Sequence, residues 1–204
     1  MNRVGKTFGS VVAVFAEAGY GKTHFACSIA NIQLKKNLPV LFLTGSRFRH
    51  CDSSEKYICE ILHQSANTTI DDVFDSLDFI AYINKCKLPI IIDGLNETFP
   101  NENRWINELP SLVNKIRNRS NLLLITTCRE KKDYVKTIYD CENFKDVENW
   151  IQLTGLYSDD LASTVQKYFD KYDIQPINHH ILSDFSNPLL LKMFCECNKG
   201  LSSF

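Results

Sequence analysis

The chain has no long apolar run. Nowhere does it approach the roughly 20 consecutive apolar residues that a membrane-crossing helix requires, and its N-terminus lacks the apolar stretch of a secretory signal, so the sequence points to a cytoplasmic protein without a membrane partner. Charge of one sign is missing too. With 23 basic and 24 acidic residues the formal net charge is −1, which gives no broad basic field and does not indicate nucleic acid as the main partner. There is also no C-x-x-C pair. The eight cysteines (Cys27, Cys51, Cys59, Cys86, Cys128, Cys141, Cys195, Cys197) are scattered, several in apolar runs, where a free thiol acts as a small hydrophobe in a reducing compartment. Cys195 and Cys197 fall two apart on a predicted helix and face away from each other, which argues against a shared metal. Repeats, low-complexity tracts and Gly/Ser linkers are absent, so the parts of the chain are expected to pack directly on one another.

What is present is the material of one main core. At 204 residues, 44% hydrophobic and 23% charged, the chain suits a globular α/β core with a small appendage. Val11, Val12, Val14 and Phe15 form a short β-branched run that ends in a Gly-rich turn, and Phe25, Ala26, Ile29, Ala30 and Ile32 then recur at helical spacing up to Lys35-Lys36-Asn37. Further strands are read at Val40–Leu43, Leu88–Ile92 and Leu122–Ile125. Helices are read at Glu55–Gln64, at Asp71–Asn84 with Val73, Leu77 and Ile80 on one face, and in a segment beginning or kinking at Pro110 and burying Leu112, Val113 and Ile116.

Four short strands alternating with helices call for a parallel sheet flanked by helices, since parallel neighbours need crossover connections; the fold class is α/β. From Asp146 onward the strand pattern ends. Val147, Trp150 and Ile151 fit one helix, and Leu161, Val165, Phe169 and Tyr172 fit another. The expected division is a nucleotide-binding core over 1–140 and an incomplete helical subdomain over 141–204.

The turn after the first strand, Ala16-Glu17-Ala18-Gly19-Tyr20-Gly21-Lys22-Thr23, matches the P-loop pattern G-x-x-x-x-G-K-[ST] except that Ala16 replaces the first glycine. Gly19 and Gly21 allow torsions that turn successive N–H groups toward phosphate oxygens, and the following helix contributes its positive end. Lys22 is expected to reach the β- and γ-phosphates of ATP or ADP, and the Thr23 hydroxyl to ligate Mg²⁺. Ala18, Gly19, Tyr20, Gly21 and His24 complete the expected nucleotide-binding positions. A second copy, Gly5-Lys6-Thr7, has no strand before it and carries no such expectation. A catalytic or metal role for His24, His179 or His180 is set aside, because neighbouring helical side chains diverge and His24 sits in the first turn of the helix.

The third strand closes on Asp93, where a Walker B carboxylate would hold Mg²⁺ through water; the alternative is that Asp93-Gly94 merely forms a turn. Glu97 is either the catalytic base that orients an attacking water or a solvated loop carboxylate. Arg129 follows the fourth strand at the same sheet edge, where it can touch a γ-phosphate or pair with Glu130 or Asp133 at the surface.

In order, these segments resemble the signal-transduction NTPases with numerous domains, the STAND group, and within it the NACHT-like branch, over most of the chain. That group carries a P-loop like Ala16 to Thr23, an acidic strand end like Asp93-Gly94-Leu95-Asn96-Glu97, a strand end like Thr127-Cys128-Arg129 and a helical element like Asn187-Pro188-Leu189-Leu190-Leu191. The resemblance implies that Arg129 senses the γ-phosphate and that Pro188 lies near the adenine. It also implies a switch: ADP holds a closed monomer, and exchange for ATP permits self-association and activates a fused or bound effector, as in innate-immune and antiviral signalling. Asn96 stands where the group usually has an acid, leaving Glu97 as the only carboxylate there, so hydrolysis is expected to be slow. The 204 residues are expected to be a piece of a longer member with effector and sensor regions.

Two other functions share the same loop. An AAA-related motor or loader acting on nucleic acid or protein would bring an arginine finger and a basic track, and a small-molecule kinase would bring an Arg-rich lid. The neutral charge and the Thr-Cys-Arg strand end favour the switch.

Overall fold

A computed structural model of the chain describes residues 10–65, 67–98, 104–129, 150–156, 158–175 and 185–200. Within them the chain runs β1 (Val11–Phe15), α1 (Lys22–Lys35), β2 (Leu41–Thr44), a 3-10 turn (Gly45–His50), α2 (Ser54–Ile61), α3 (Ile70–Ile83), β3 (Leu88–Asp93), a short 3-10 turn (Leu95–Glu97), α4 (Arg104–Arg117), β4 (Leu122–Cys128), β5 (Trp150–Gln152), α5 (Ser158–Tyr172) and α6 (Pro188–Cys197). Its contacts fall into two units. One comprises the described residues through Phe15 and from Lys22 to Ile151; the other comprises Ala16–Gly21 with the described residues from Gln152 onward.

The first unit is built on a sheet of order β2-β3-β4-β1-β5. The pairs β2–β3, β3–β4 and β4–β1 are parallel, in registers that set Thr44 beside Asp93, Ile92 beside Thr126 and Phe15 beside Cys128. Alternate residues of the strands face opposite ways. Val11, Ala13, Leu41, Leu43, Leu88, Ile90, Ile92, Leu122 and Leu124 enter one core cluster with side chains of α2, α3 and α4. α1 packs on β3 and β4, with Ala26 fully buried outside that cluster, and so covers the other face. Because both faces are covered, β3 is buried along its whole length, which explains why its sequence is an unbroken apolar run rather than an alternating one.

Local signals set the helix starts. Thr69 and Asp72 form a reciprocal cap on α3, the Thr69 hydroxyl accepting from the Asp72 N–H (3.2 Å) and the Asp72 carboxylate accepting from the Thr69 N–H (3.1 Å). The buried stripe of α3 is Ile70, Val73, Phe74 and Ala81, with Leu77 packed against it. Ile80, expected on that face, is 41% exposed: the stripe drifts because 3.6 residues per turn carries Ala81 rather than Ile80 onto the core line. α4 begins at Arg104, so Pro110 lies inside the helix and does not open it. The lost hydrogen bond is offset by the burial of Trp105, Leu109, Leu112, Val113 and Ile116 along the same helix.

Trp150 and Ile151 form the short strand β5, not a helix. Three residues are too few for periodicity to separate the two states, and the pairing beside β1, with the Trp150 ring edge-on to Phe15 at 5.8 Å, decides it. Val147, the rest of that expected helix, lies outside the described residues, as do Gly5-Lys6-Thr7, Cys141, Glu130, Asp133, His179 and His180. The second unit has its own small core, in which Val165 and Phe169 of α5 meet Leu191 and Cys195 of α6, with Ile174 and Phe185 between them.

An ion-pair network joins α3 to the end of α4. Arg119 donates to Asp75 (2.8 Å), to Asp71 (3.1 Å) and to the Lys115 carbonyl (2.6 Å), with its guanidinium 5.6 Å from the Phe74 ring centre. Lys115 donates to Asp71 at 2.6 Å. That bond, with Arg119 beside it, holds the Asp71 carboxyl below the usual carboxylate range. A depressed acid contributes stability above its unfolded pKa of about 3.9 and loses it as pH falls through the lower folded value. Asp71→Asn should therefore lower the urea midpoint at neutral pH, with the difference from the parent shrinking as the pH falls below the ordinary carboxylate range and through the depressed folded value. A difference that stays constant across that range would remove the network from the account of acid stability.

Candidate nucleotide site

The parallel registers bring the C-terminal ends of β1, β3 and β4 to one level of the sheet. Ligands of open α/β sheets bind at such an edge. Asp93 closes β3 there and is buried, 7% exposed. Its carboxylate accepts a 2.6 Å hydrogen bond from the Thr127 hydroxyl, and that hydroxyl in turn accepts the Gly94 N–H at 2.9 Å. A carboxylate kept in a buried position needs such donors. Thr127 is itself fully buried, so this polar pair is shielded at the end of an apolar strand.

Lys22 opens α1, whose first turn carries no acidic residue. Burial pushes its ammonium below the usual lysine value and the nearby Arg129 guanidinium pushes the same way, while the Asp93 and Glu97 carboxylates pull it back. Those groups thus share one neighbourhood. The Cys128 thiol, buried beside them, is pushed up to about 11 by desolvation against the pull of Lys22, and it stays a neutral packing group. Thr23 and His24 follow on the exposed side of the first turn.

The turn after β3 is tight. Gly94 adopts φ +77°, and a Cβ there would meet the Glu97 carboxyl carbon at 2.7 Å, so the exposed Glu97 folds back over the turn. On the other side, a Cβ on Gly45 would fall 2.1 Å from the Gly94 carbonyl oxygen, which requires glycine where β2 ends. Asn96 accepts the Arg129 backbone N–H at 3.0 Å through its side-chain oxygen. The Arg129 side chain is exposed.

Within the second unit, the loop glycines Gly19 and Gly21 both have left-handed torsions, φ +88° and +85°. Only Gly19 is also crowded: a Cβ there would lie 2.6 Å from the Asn187 side-chain oxygen and 2.9 Å from Leu189, whereas Gly21 faces open space. Asn187 caps α6 by accepting from Leu189 N–H (2.9 Å) and donates its other amide end to the Ala18 carbonyl at 3.4 Å. Pro188 occupies the first position of that helix. A Cβ on Gly155 would meet the Ser186 carbonyl oxygen at 2.4 Å and the Tyr20 ring at 3.1 Å, so Tyr20 packs beside the same segment.

Lys22, Asp93, Glu97 and Arg129 are therefore gathered in the first unit, and Ala18, Gly19, Tyr20 and the start of the Pro188 helix in the second. His24 is exposed in the first turn of α1. The sequence reading assigned no role to Thr127, Gly45 or Asn187. For Thr127 the available signal was a polar Thr126-Thr127 pair closing an apolar strand; for Gly45, a glycine directly after one.

Taken unit by unit, the residue types present suit a nucleotide. Asp93 and Thr23 offer hard oxygens of the kind Mg²⁺ selects, and the left-handed glycines followed by an acid-free helix start and Lys22 suit phosphate. Fold and loop together define the chain as a P-loop NTPase domain. The family model of the NACHT domain matches residues 10–172, and the chain belongs to that family. No curated protein matches it. Among solved structures it is similar to a Walker-type ATPase of Pyrococcus abyssi, with 12% identity, 92% of this chain and 62% of that one covered and a TM-score of 0.64. It is also similar to the replication initiator DnaA bound to AMPPCP and single-stranded DNA (12% identity, 98% and 58% covered, TM-score 0.63). AMPPCP-bound DnaA from Aquifex aeolicus gives 12% identity, 94% and 56% coverage and a TM-score of 0.57. At such identities the likeness is one of fold, and this chain spans between 56% and 62% of those chains.

Replacing Thr127 by the isosteric Val would leave the buried Asp93 without its hydroxyl donor, at an expected cost of about 1–3 kcal/mol. Urea denaturation measures it; an unchanged midpoint would mean that Asp93 is satisfied without Thr127.

Proposed function

We propose that the chain binds ATP and ADP with Mg²⁺ and serves as a nucleotide-controlled signalling switch that hydrolyses ATP slowly. The observation that carries this reading is the gathering of Asp93, Glu97 and Arg129 around Lys22 at the C-terminal edge of the sheet, two carboxylates and a second cation in electrostatic reach of its ammonium. Lys22 would bind the β- and γ-phosphates, Thr23 and Asp93 would hold Mg²⁺, and Arg129 would contact the γ-phosphate that distinguishes ATP from ADP. Bound Mg²⁺ would supply charge neutralisation across the β- and γ-phosphates.

Slow turnover is supported by the sparse acid–base equipment. Glu97 is the only carboxylate of the turn after Asp93, since Asn96 is neutral, and it is exposed rather than enclosed. A base acting on water must sit within about one water of the γ-phosphate. Pro188, at the start of α6, is the position we assign to the adenine. Self-association or the release of a fused effector would be the output, as in innate-immune and antiviral signalling.

Lys22→Ala should abolish binding of both nucleotides in titration calorimetry, and retained ADP affinity would overturn the site. Glu97→Gln should leave both affinities intact and reduce phosphate release by about 10²-fold, the usual size of a general-base effect. Turnover that matches the parent would make Glu97 a bystander. Phosphate release stimulated by single-stranded DNA would favour a loader over a switch.

A further inference from the structure

Asn96, in the turn after β3, has a defined bond across to the end of β4: its side-chain oxygen accepts the backbone N–H of Arg129 at 3.0 Å. We infer that Asn96 is a positioning residue that ties the turn carrying Glu97 to the strand end carrying Arg129 while leaving the Arg129 guanidinium unneutralised. The inference rests on the reading of Arg129 as the γ-phosphate contact.

Three hydrogen bonds lace the two turns. Thr127 donates to Asp93, Gly94 donates to Thr127, and Arg129 donates to Asn96. The first two fix the carboxylate end of β3 against β4. Only the third reaches past the strands, to the residue whose side chain would read the nucleotide. Without it Arg129, which lies one residue beyond the end of β4, would have no side-chain anchor among these three bonds.

The choice of amide over acid has an electrostatic reason. A carboxylate at 96 could accept the same N–H, but it would add a negative charge beside Asp93 and Glu97 and offer the Arg129 guanidinium a competing partner. A carboxamide supplies the acceptor alone. It leaves the two cations, Lys22 and Arg129, balanced against the two carboxylates, Asp93 and Glu97, so an incoming γ-phosphate meets one negative charge fewer than it would with an acid at 96.

The test uses the 204-residue chain and measures ATP and ADP affinities by titration calorimetry with Mg²⁺ for the parent, Arg129→Ala, Asn96→Ala and Asn96→Asp. Asn96→Ala should lower ATP affinity by about five-fold and ADP affinity by less than about two-fold, the size expected for losing one hydrogen bond that orients a charged group. Asn96→Asp, which keeps an acceptor, should lower the ATP preference at low salt. It should recover the parent ratio near 0.5 M NaCl, where a screening length of roughly 4 Å hides the added charge. A role in folding alone would lower both affinities together, and equal losses in Asn96→Ala would overturn the proposal. If Asn96→Ala does not fold, the Asp variant decides, and an ATP-to-ADP ratio indifferent to salt overturns it. If Arg129→Ala leaves the ratio at the parent value, the γ-phosphate reading of Arg129 fails instead.

Discussion

The site depends on one awkward placement: a carboxylate at the end of a strand that is buried along its whole length. β3 is enclosed because helices cover both faces of a parallel sheet, and its last residue, Asp93, cannot turn freely to solvent. The Thr127 hydroxyl resolves the conflict by donating to it, and the Gly94 amide orients that hydroxyl from the other side. A buried acid satisfied by a fixed donor is held in one orientation at the end of its strand.

From that point the geometry propagates through backbone economy. Gly94 must take a left-handed turn to leave the strand, Gly45 must lack a side chain to let β2 end beside it, and Glu97 folds back over the turn so made. The turns after β3 and β4 then lie close enough for Asn96 to reach Arg129. Opposing charges therefore converge on Lys22 from two chain segments, the ends of β3 and β4, and the balance of burial and neighbouring charge on its ammonium records that convergence. In the second unit the same economy recurs, with Gly19 and Gly155 glycines because Asn187, Leu189 and the Ser186 carbonyl already fill the space a side chain would need.

The sequence by itself determined the architecture and the ligand class. A β-branched run, a glycine loop, Lys-Thr and a helix in immediate succession can be read locally, because each signal spans fewer than about ten residues and its physics is backbone torsion and apolar period. The same holds for the apolar strand that ends in Asp93 and for the strand end that carries Arg129. Only the tertiary structure decided the rest. Trp150 and Ile151 became a strand because β1 had an open edge and Phe15 a ring to meet them. The bonds from Thr127 to Asp93, from Arg129 to Asn96 and from Asn187 to Ala18 join residues 34, 33 and 169 positions apart, and no local pattern encodes a hydrogen bond across such separations. The first two pairs are chosen by strand order and register, which exist only once the sheet has formed, and the third by the packing of a helix start on a loop.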